Sequence, residues 1–310
     1  MDPRLVALAR GQSGLVSAEQ AEAFGLADAS RRRLTATGRW MRVATNVFDT
    51  GQVDPRLHPF DTARLRAPRL GLLSVRGSAA VGLGALAMLG AQGLPRRIPP
   101  EVALPRARHG RHRDGIRVRQ YDFGMHTRVV GSRRVAAPEW ALAQALPDLD
   151  RLQAVAVMDS VLHGGLLDAG GLARAHDHAR GRPGIATRHG WFDLADGRAE
   201  SPPESHARLL ADDAGLAPDD LQRDLFDDAG TFLGRGDLLW HLGDGRWLVV
   251  EVDGAEFHSG DQALRRDTIR QNGLIASGAT ILRFYPDDLR HPGPYLARLR
   301  PVLTLSLIHI

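Results

Sequence analysis

The chain has 310 residues, no cysteine and no lysine, so all 40 of its basic residues are arginine. The absence of cysteine excludes disulfides, a thiolate nucleophile and cysteine-based zinc sites. The absence of lysine excludes a lysine base, a Schiff base and a P-loop. No run of about 18 apolar residues occurs, so we expect a cytoplasmic protein of two or three domains with no membrane partner.

The charge is divided unevenly along the chain. Residues 1–150 hold 23 arginines against 13 acids, a net charge of +10, whereas residues 151–310 hold 17 against 23, a net charge of −6. This division predicts a front half that meets an anionic partner and a back half that uses carboxylates locally. GC-rich coding produces the same arginine excess, so charge alone does not identify nucleic acid as the partner.

Residues 3–48 predict three short helices followed by a two-stranded wing. The helices are "PRLVALARG", "AEQAEAFG" capped by Ser17, and "DASRRRLTATG" capped by Asp28 or Ser30. The wing is "RWMRVATNVFDTG", which alternates in polarity and ends in turn residues. This order is typical of a winged helix-turn-helix, whose third helix enters the DNA major groove, and we predict such a domain over residues 1–50.

Five arginines of this domain are the expected DNA contacts. They lie near the start of the third helix and on the wing: Arg31, Arg32, Arg33, Arg39 and Arg42. The alternative is a small helical cap whose arginines are merely solvated.

An α+β middle region is predicted over residues 69–195, after a Pro- and Arg-rich linker at 51–68. Its expected elements are an apolar helix over 77–90, the strands "PEVALP" and "GIRVRQYDF", and helices at about 138–146, 150–163 and 171–180.

The last predicted domain covers residues 200–303. Its elements in order are the helix "SPPESHARLLADDAG", the hairpin "RGDLLWHLGDGRWLVVEVDG", the helix "DQALRRDTIRQNGLIASG" and the strand "ATILRFYP". Helix, hairpin, helix and strand predict an α/β unit in which helices flank a mixed sheet.

Acidic residues gather where the hairpin ends. Glu251 and Asp253 are two positions apart on one predicted strand and share a face of the sheet. If residues 243–245 form a three-residue loop, the register places Asp237 directly opposite Glu251, whereas a two-residue loop sends Asp237 to the other face. The site hypothesis therefore requires the three-residue loop.

Three carboxylates on one sheet face repel one another unless a cation is present. Oxygen ligands without cysteine select Mg²⁺, Mn²⁺ or Ca²⁺. An ion bound by Asp237, Glu251 and the carbonyl of Val252 would polarise a phosphodiester and lower the pKa of an attacking water. Gly254 allows a sharp turn that returns His258 as a general base or acid. The alternative is a solvent-exposed strand end with ordinary acids.

The segments "GRGDLLW", "VVEVDGAEFH", "RRDTIRQNGLIASG" and "ILRF" resemble a known family. They are similar to bacterial uncharacterised-function domains related to the very short patch repair endonuclease, within the PD-(D/E)xK nuclease superfamily. The resemblance covers about residues 200–303. It implies a restriction-endonuclease-like fold and Mg²⁺- or Mn²⁺-dependent hydrolysis of DNA.

The resemblance assigns roles residue by residue. Asp237 matches the metal-binding aspartate, Glu251 the second acid, His258 a second histidine of the repair enzyme, and Glu204 the glutamate that many members carry on a helix. The same glutamate also completes a capping box in its predicted helix, which is an equal explanation. Asp253 falls where most members have lysine and the repair enzyme has a histidine, and an aspartate cannot supply that positive charge.

The N-terminal half resembles the winged-helix domain of AbiEi-type antitoxins over about residues 5–50, and loosely as far as 145 through "GSAAVGLGAL". This resemblance implies DNA binding, autoregulation and a toxin partner. Two functions follow: a DNA-binding protein with a metal-dependent endonuclease domain, or a non-catalytic regulator or antitoxin that keeps an inactive nuclease fold.

Overall fold

The computed structural model divides the chain into two compact units. They are Met1–Arg151 with Gly164–Asp193, and Leu152–His163 with Leu194–Ile310. The residues that the structure describes are 1–106, 112–227, 229–243, 245–253, 268 and 271–307. Each unit contains a sheet flanked by helices, which confirms the α/β class. Among the described residues, no helix has the length and apolarity needed to cross a bilayer.

The two compact units group the residues around the predicted boundary at 200 differently from the predicted domains. Most of the helix expected at 150–163 packs with the C-terminal residues, so the second unit contains Leu152–His163 in addition to the residues from 194 onward. Sequence order misleads here because this helix is followed in the chain by residues of the first unit.

The first unit begins with the three predicted helices and the wing, and adds one strand. The elements are α1 (Pro3–Gly11), β1 (Leu15–Ser17), α2 (Ala18–Ala23), α3 (Asp28–Ala36), β2 (Met41–Ala44) and β3 (Val47–Asp49). The strands form an antiparallel sheet in the order β1-β3-β2. Its core contains Leu5, Ala9, Val16, Ala21 and Trp40, all of them buried.

The predicted N-cap of α2 is confirmed, whereas the predicted N-cap of α3 is wrong. Ser17 and Gln20 form the reciprocal capping box of α2, with bonds of 3.1 and 3.0 Å. The N-cap of α3 is Ala27, which forms no side-chain cap, instead of Asp28 or Ser30. Asp28 is the first helical residue, where its negative charge favours the positive end of the helix dipole.

The rest of the first unit is a mixed five-stranded sheet with helices packed on it. The strand order is β6-β5-β4-β8-β7. The elements are α4 (Pro59–Ser74), β4 (Ala79–Ala80), α5 (Gly82–Leu89), β5 (Glu101–Leu104), β6 (Arg117–Gln120), β7 (Thr127–Val130), β8 (Arg133–Ala136), α6 (Pro138–Ala145) and α8 (Ala169–Ala179). Between α6 and α8 the chain forms α7 (Arg151–His163), which belongs to the second unit from Leu152 onward.

Two predictions for this region are wrong. The expected linker at 51–68 is largely helix α4, which accommodates Pro68 in its interior. The segment 77–90 begins as strand β4, and its helix starts only at Gly82. Residues 79–86 are buried throughout, so this stretch lacks the polar alternation that distinguishes a strand from a helix.

The second unit is a four-stranded mixed sheet with helices on both faces. The elements are α9 (Pro202–Asp213), β9 (Asp220–Phe226), β10 (Phe232–His241), β11 (Trp247–Val252), α10 (described over 271–276), β12 (Thr280–Phe284) and α11 (Pro292–Leu307). The order is β12-β11-β10-β9, with β11 and β12 parallel and the other pairs antiparallel. Strand β9 was not predicted.

The two faces of this sheet have separate cores. On one face Val250 and Phe284 pack with Ala207 of α9 and Tyr295 of α11. On the other face Val249 packs with Leu274 of α10 and with neighbouring strand residues. This alternation explains why "VV" in β11 is apolar at consecutive positions, since both faces of the strand are covered.

The loop between β10 and β11 confirms the predicted register. The Leu242 N–H donates to the Arg246 carbonyl at 2.9 Å, and Gly243 and Gly245 adopt left-handed φ angles of +83° and +72°. Leu238 consequently pairs with Val250. One position further along, Asp237 and Glu251 face each other, as the three-residue loop requires.

Gly236 provides a test of this hairpin. A Cβ atom at Gly236 would lie 2.7 Å from Cγ1 of the buried Val249. We expect Gly236→Ala to lower the free energy of unfolding by about 1–3 kcal/mol, because Val249 must move within a packed core. Denaturant unfolding measures this change. The control is Gly293→Ala, where the added Cβ meets nothing within 4 Å. Equal stability of the two variants would contradict the packing argument.

Candidate active site

Asp237 and Glu251 form the centre of the site. Asp237 lies on β10 and Glu251 on β11, where the Glu251 residue is only 4% exposed. The Asp237 Oδ2 atom accepts a hydrogen bond from the Val252 N–H at 2.8 Å. The aspartate thus holds a fixed position at the end of the hairpin ladder.

Gln222 on β9 connects Asp237 to α9. Its Nε2 donates to Glu204 Oε2 at 2.8 Å and to Asp237 Oδ1 at 3.3 Å. Gln222 has a left-handed φ of +52°, which is unfavourable for a residue other than glycine and clusters at functional sites. Sequence reasoning missed Gln222 because strand β9 itself was not predicted.

Glu204 serves both as a cap and as a neighbour of the site. Its Oε1 accepts from the Ser201 hydroxyl at 2.7 Å, and its Oε2 accepts from the Glu200 N–H at 2.8 Å as well as from Gln222. The predicted capping box is confirmed only in part: Ser201 caps α9 by accepting from the Glu204 N–H, but the Glu204 carboxylate accepts from the Glu200 N–H instead of the Ser201 N–H. Because the same carboxylate shares Gln222 with Asp237, the cap also fixes the end of α9 beside the acidic pair.

Arg283 contributes a positive charge that the sequence analysis did not anticipate. Arg283 on β12 is in register with Glu251, and its Nε donates to Glu251 Oε2 at 2.7 Å. The sequence feature that could have revealed Arg283 is the strand "ATILRF". This strand pairs in parallel with β11 and places its arginine opposite Glu251. Detecting it requires the β11–β12 register, which sequence alone does not provide.

The remaining predicted site residues have different outcomes. The Asp253 N–H donates to the Phe284 carbonyl at 2.9 Å, so the parallel ladder continues one residue beyond β11. Val252 reaches the site through its N–H, and a ligand role for its carbonyl remains a prediction. Gly254 and His258 lie outside the described residues, so the role of His258 stays a prediction.

Burial, together with the negative charges of Glu204 and Glu251, raises the pKa of Asp237 to about 7. The hydrogen bonds from the Val252 N–H and Gln222 act in the opposite direction, since they stabilise the ionised form. Burial and the neighbouring carboxylates outweigh these hydrogen bonds, so Asp237 keeps a proton over much of the range up to neutral pH.

The donor set fits a hard divalent cation. All side-chain donors on Asp237, Glu251 and Glu204 are oxygens, and the raised pKa of Asp237 marks the charge that a cation would offset. No group of three or more His, Cys, Asp or Glu side chains in the described residues is arranged as a metal cage. One or two carboxylates are nevertheless the usual protein contribution to Mg²⁺, which retains several waters.

The predicted DNA-contacting arginines do not form one set. Arg31 is 7% exposed; it donates to the Leu26 carbonyl at 2.7 Å and pairs with Asp28 at 3.3 Å. Its assignment as a DNA contact is wrong, because it lies one helical turn before the core residue Leu34 and shares its inner face. The other four are exposed: Arg32, Arg33, Arg39 and Arg42.

The fold and the site together define an α/β protein with an acidic cluster in its second unit. No family model matches the chain. Two proteins of Mycobacterium tuberculosis are similar to it: "Uncharacterized protein MT2308" of strain CDC 1551 / Oshkosh and "Uncharacterized protein Rv2248" of strain ATCC 25618 / H37Rv. Each is 33% identical over 190 residues, which is 60% of this chain and 67% of the relative. The chain belongs to the same family as these mycobacterial proteins.

The raised pKa of Asp237 predicts a pH-dependent stability. Between about pH 4 and the folded-state pKa of about 7, the folded carboxyl keeps a proton that the unfolded chain has released. Folding stability should therefore fall as the pH rises through this window. Asp237→Asn cannot titrate and should be more stable than the wild type by about 2 kcal/mol above the window, and by less below it.

Denaturant unfolding at several pH values measures the difference. The control is Asp224→Asn, which removes an exposed carboxylate on the neighbouring strand β9. If the stability difference between wild type and Asp237→Asn stays constant from about pH 5 to about pH 8, the raised pKa is wrong.

Proposed function

We propose that this protein is a cytoplasmic DNA-binding protein whose second unit hydrolyses DNA phosphodiesters with Mg²⁺ or Mn²⁺, as an endodeoxyribonuclease. One observation carries the proposal: Asp237 faces Glu251 at the end of a hairpin, and burial among carboxylates raises its pKa to about 7. Burying two carboxylates side by side costs stability, and apolar side chains of similar size would be the more stable choice there. The acidic pair is a suitable cation site.

In this proposal Asp237 and Glu251 would hold the metal, which would supply polarisation of the phosphodiester and a lowered pKa of the attacking water. Gln222 holds Asp237 and Glu204 at a fixed separation through its two hydrogen bonds. Arg283 pairs with Glu251 and places a positive charge next to the site, where a phosphate oxygen would gain negative charge during hydrolysis.

The topology of the second unit supports the nuclease proposal. Its elements follow the order α, β, β, β, α, β before the last helix, around a mixed sheet. The resemblance to the nuclease superfamily lacks a lysine at Asp253, and Arg283 offers a positive charge from the adjacent parallel strand. This arrangement compensates for the missing lysine charge within the same sheet.

The front of the first unit supports DNA binding. Arg32 and Arg33 are exposed on α3, and Arg39 and Arg42 are exposed before and on the wing. Met41 lies between these wing arginines and is 59% exposed, so it offers an apolar contact beside the charges. Exposed arginines on a third helix and a wing suit phosphate and base contacts.

A second candidate function has its own observation. Glu251 is paired with Arg283, and Glu204 is hydrogen-bonded within its cap. Asp237 accepts from the Val252 N–H and Gln222, so all three acids have protein partners without a cation. This favours a non-catalytic regulator or an AbiEi-type antitoxin with a toxin partner. Both functions share the DNA-binding front and differ only in whether the second unit cuts.

Cleavage of supercoiled plasmid with Mg²⁺ or Mn²⁺ separates the two functions. We expect the wild type to nick or cut, and Asp237→Asn and Glu251→Gln to lose at least about a hundredfold in rate, because both remove cation-binding charge. Gel shifts on the same DNA should be unchanged. Asp224→Asn is the matched control and should cut normally. Wild-type binding without cleavage under either metal would favour the regulator, and cleavage by Asp237→Asn would exclude this site.

DNA binding is tested with single Arg→Gln changes at the four exposed positions. Each of Arg32→Gln, Arg33→Gln, Arg39→Gln and Arg42→Gln should weaken binding. For those that contact phosphate, the slope of log affinity against log salt should fall by roughly 0.9. Arg97→Gln, an exposed change outside this domain, is the control. Unchanged affinity and slope in all four variants would show that these arginines are only solvated.

A further inference from the structure

The first unit contains a cleft that neither proposed activity uses. Its volume is about 380 Å³, and its lining includes the apolar side chains of Leu65, Leu73 and Met88 together with Arg69, Arg133 and Gln12. A volume of this size is in the range of small-molecule sites, which combine apolar walls with a few polar groups.

Two arginines face this cleft without an acidic partner. Arg69 on α4 donates to the Ser13 hydroxyl at 2.6 Å, and Arg133 on β8 donates to Gln12 Oε1 at 3.2 Å. Within the described part of the chain, neither guanidinium forms a salt bridge with a carboxylate. Burial lowers the pKa of both arginines, because desolvation disfavours their charged forms.

Each guanidinium has five N–H donors, so most of their bonding capacity is available to a ligand. Several other arginines of this unit have carboxylate partners: Arg66 is paired with Asp49 at 2.6 Å, and Arg119 with Glu101 at 2.5 Å. The cleft therefore holds two partly desolvated positive charges whose natural complement is an anion.

The backbone beside Arg69 is held in an unfavourable conformation. Ser13 is buried and has a left-handed φ of +54°. The Ser13 carbonyl accepts from Arg66 at 3.0 Å, while its hydroxyl accepts from Arg69. Such strain persists only where neighbouring contacts impose it, and it clusters at functional sites and ligand clamps.

We propose that this cleft binds a small organic carboxylate with an apolar body, whose carboxylate pairs with Arg69 and Arg133 and whose body packs on Leu65, Leu73 and Met88. The planar guanidinium matches a carboxylate through parallel hydrogen bonds, which gives both affinity and orientation. A neutral ligand of the same shape leaves the two charges uncompensated.

The cleft is connected to α2 through side chains. Gln12 accepts from Arg133 and exchanges two hydrogen bonds of 3.0 Å with Gln20, which caps α2 together with Ser17. A carboxylate that draws Arg133 away from Gln12 alters the partners of this cap. Ligand binding therefore reaches the helix that precedes α3, whether or not the protein cuts DNA.

Binding is tested on the full chain by calorimetry and thermal shift. The probes are phenylacetate, benzoate and hexanoate, with phenylacetamide as the neutral counterpart of phenylacetate and inorganic phosphate as a small anion without an apolar body. We expect at least one carboxylate to bind with millimolar or better affinity and to raise the melting temperature. Phenylacetamide should bind at least about tenfold more weakly than phenylacetate.

The variants locate the site. Arg69→Gln and Arg133→Gln should each weaken carboxylate binding by about tenfold or more. Arg133→Lys should fall between Arg133→Gln and the wild type, because it keeps the charge but loses the parallel hydrogen bonds of the guanidinium. Arg97→Gln should bind as the wild type does. Melting of each variant without ligand shows whether it is folded, and Arg133→Gln tests the site if Arg69→Gln unfolds the Ser13 turn.

Four results would overturn the proposal. They are the absence of binding by all three carboxylates at millimolar concentration, equal binding of phenylacetamide and phenylacetate, binding that survives both glutamine variants, and phosphate binding equal to that of the carboxylates, which would show that the apolar walls contribute nothing. Because these measurements use no DNA, their failure is distinct from a failure of the proposed nuclease or DNA-binding function.

Discussion

The register between β10 and β11 is the constraint on which the acidic site depends. Side chains alternate between the two faces of a strand, so a slip of one residue would carry Asp237 away from Glu251 and place it against the other core. Gly243 and Gly245 accept the left-handed conformations of the three-residue loop, and Gly236 allows Val249 to pack against the neighbouring strand. Three glycines thus determine the position of one carboxylate.

Once the register is set, the site is governed by competition between burial and charge. Burial favours protonated Asp237, Glu204 and Glu251 add repulsion, and hydrogen bonds to the ionised form only partly offset both effects. Arg283 approaches Glu251 from the parallel strand, on the side away from Asp237. Such a site lowers the free energy of unfolding. Proteins usually retain a destabilising site of this kind because their function requires it.

Arginine performs every cationic role in this chain because lysine is absent. Arg31 binds a backbone carbonyl inside the N-terminal domain, Arg283 balances a buried glutamate, and Arg69 holds the Ser13 turn. Composition reports only the number of these charges. The burial and the bonding partners of each arginine show whether it stabilises the fold, lies exposed as a candidate DNA contact or lines the cleft. Burial and partners are set by tertiary packing.

The sequence by itself determined the local features. Hydrophobic alternation and turn residues gave the helices α1 to α3, the wing, the β10–β11 hairpin and strand β12, because these signals act over a few neighbouring residues. Local reasoning also supplied Asp237 and Glu251 and the loop length that their pairing requires, but the choice between a two-residue and a three-residue loop came from the structure. Tertiary structure alone decided the rest. Strand β9 and its Gln222, the approach of Arg283, the inward side of Arg31 and the membership of α7 in the second unit all depend on pairings between distant segments. Those pairings depend on burial and sheet register, which neighbouring residues in the chain do not encode.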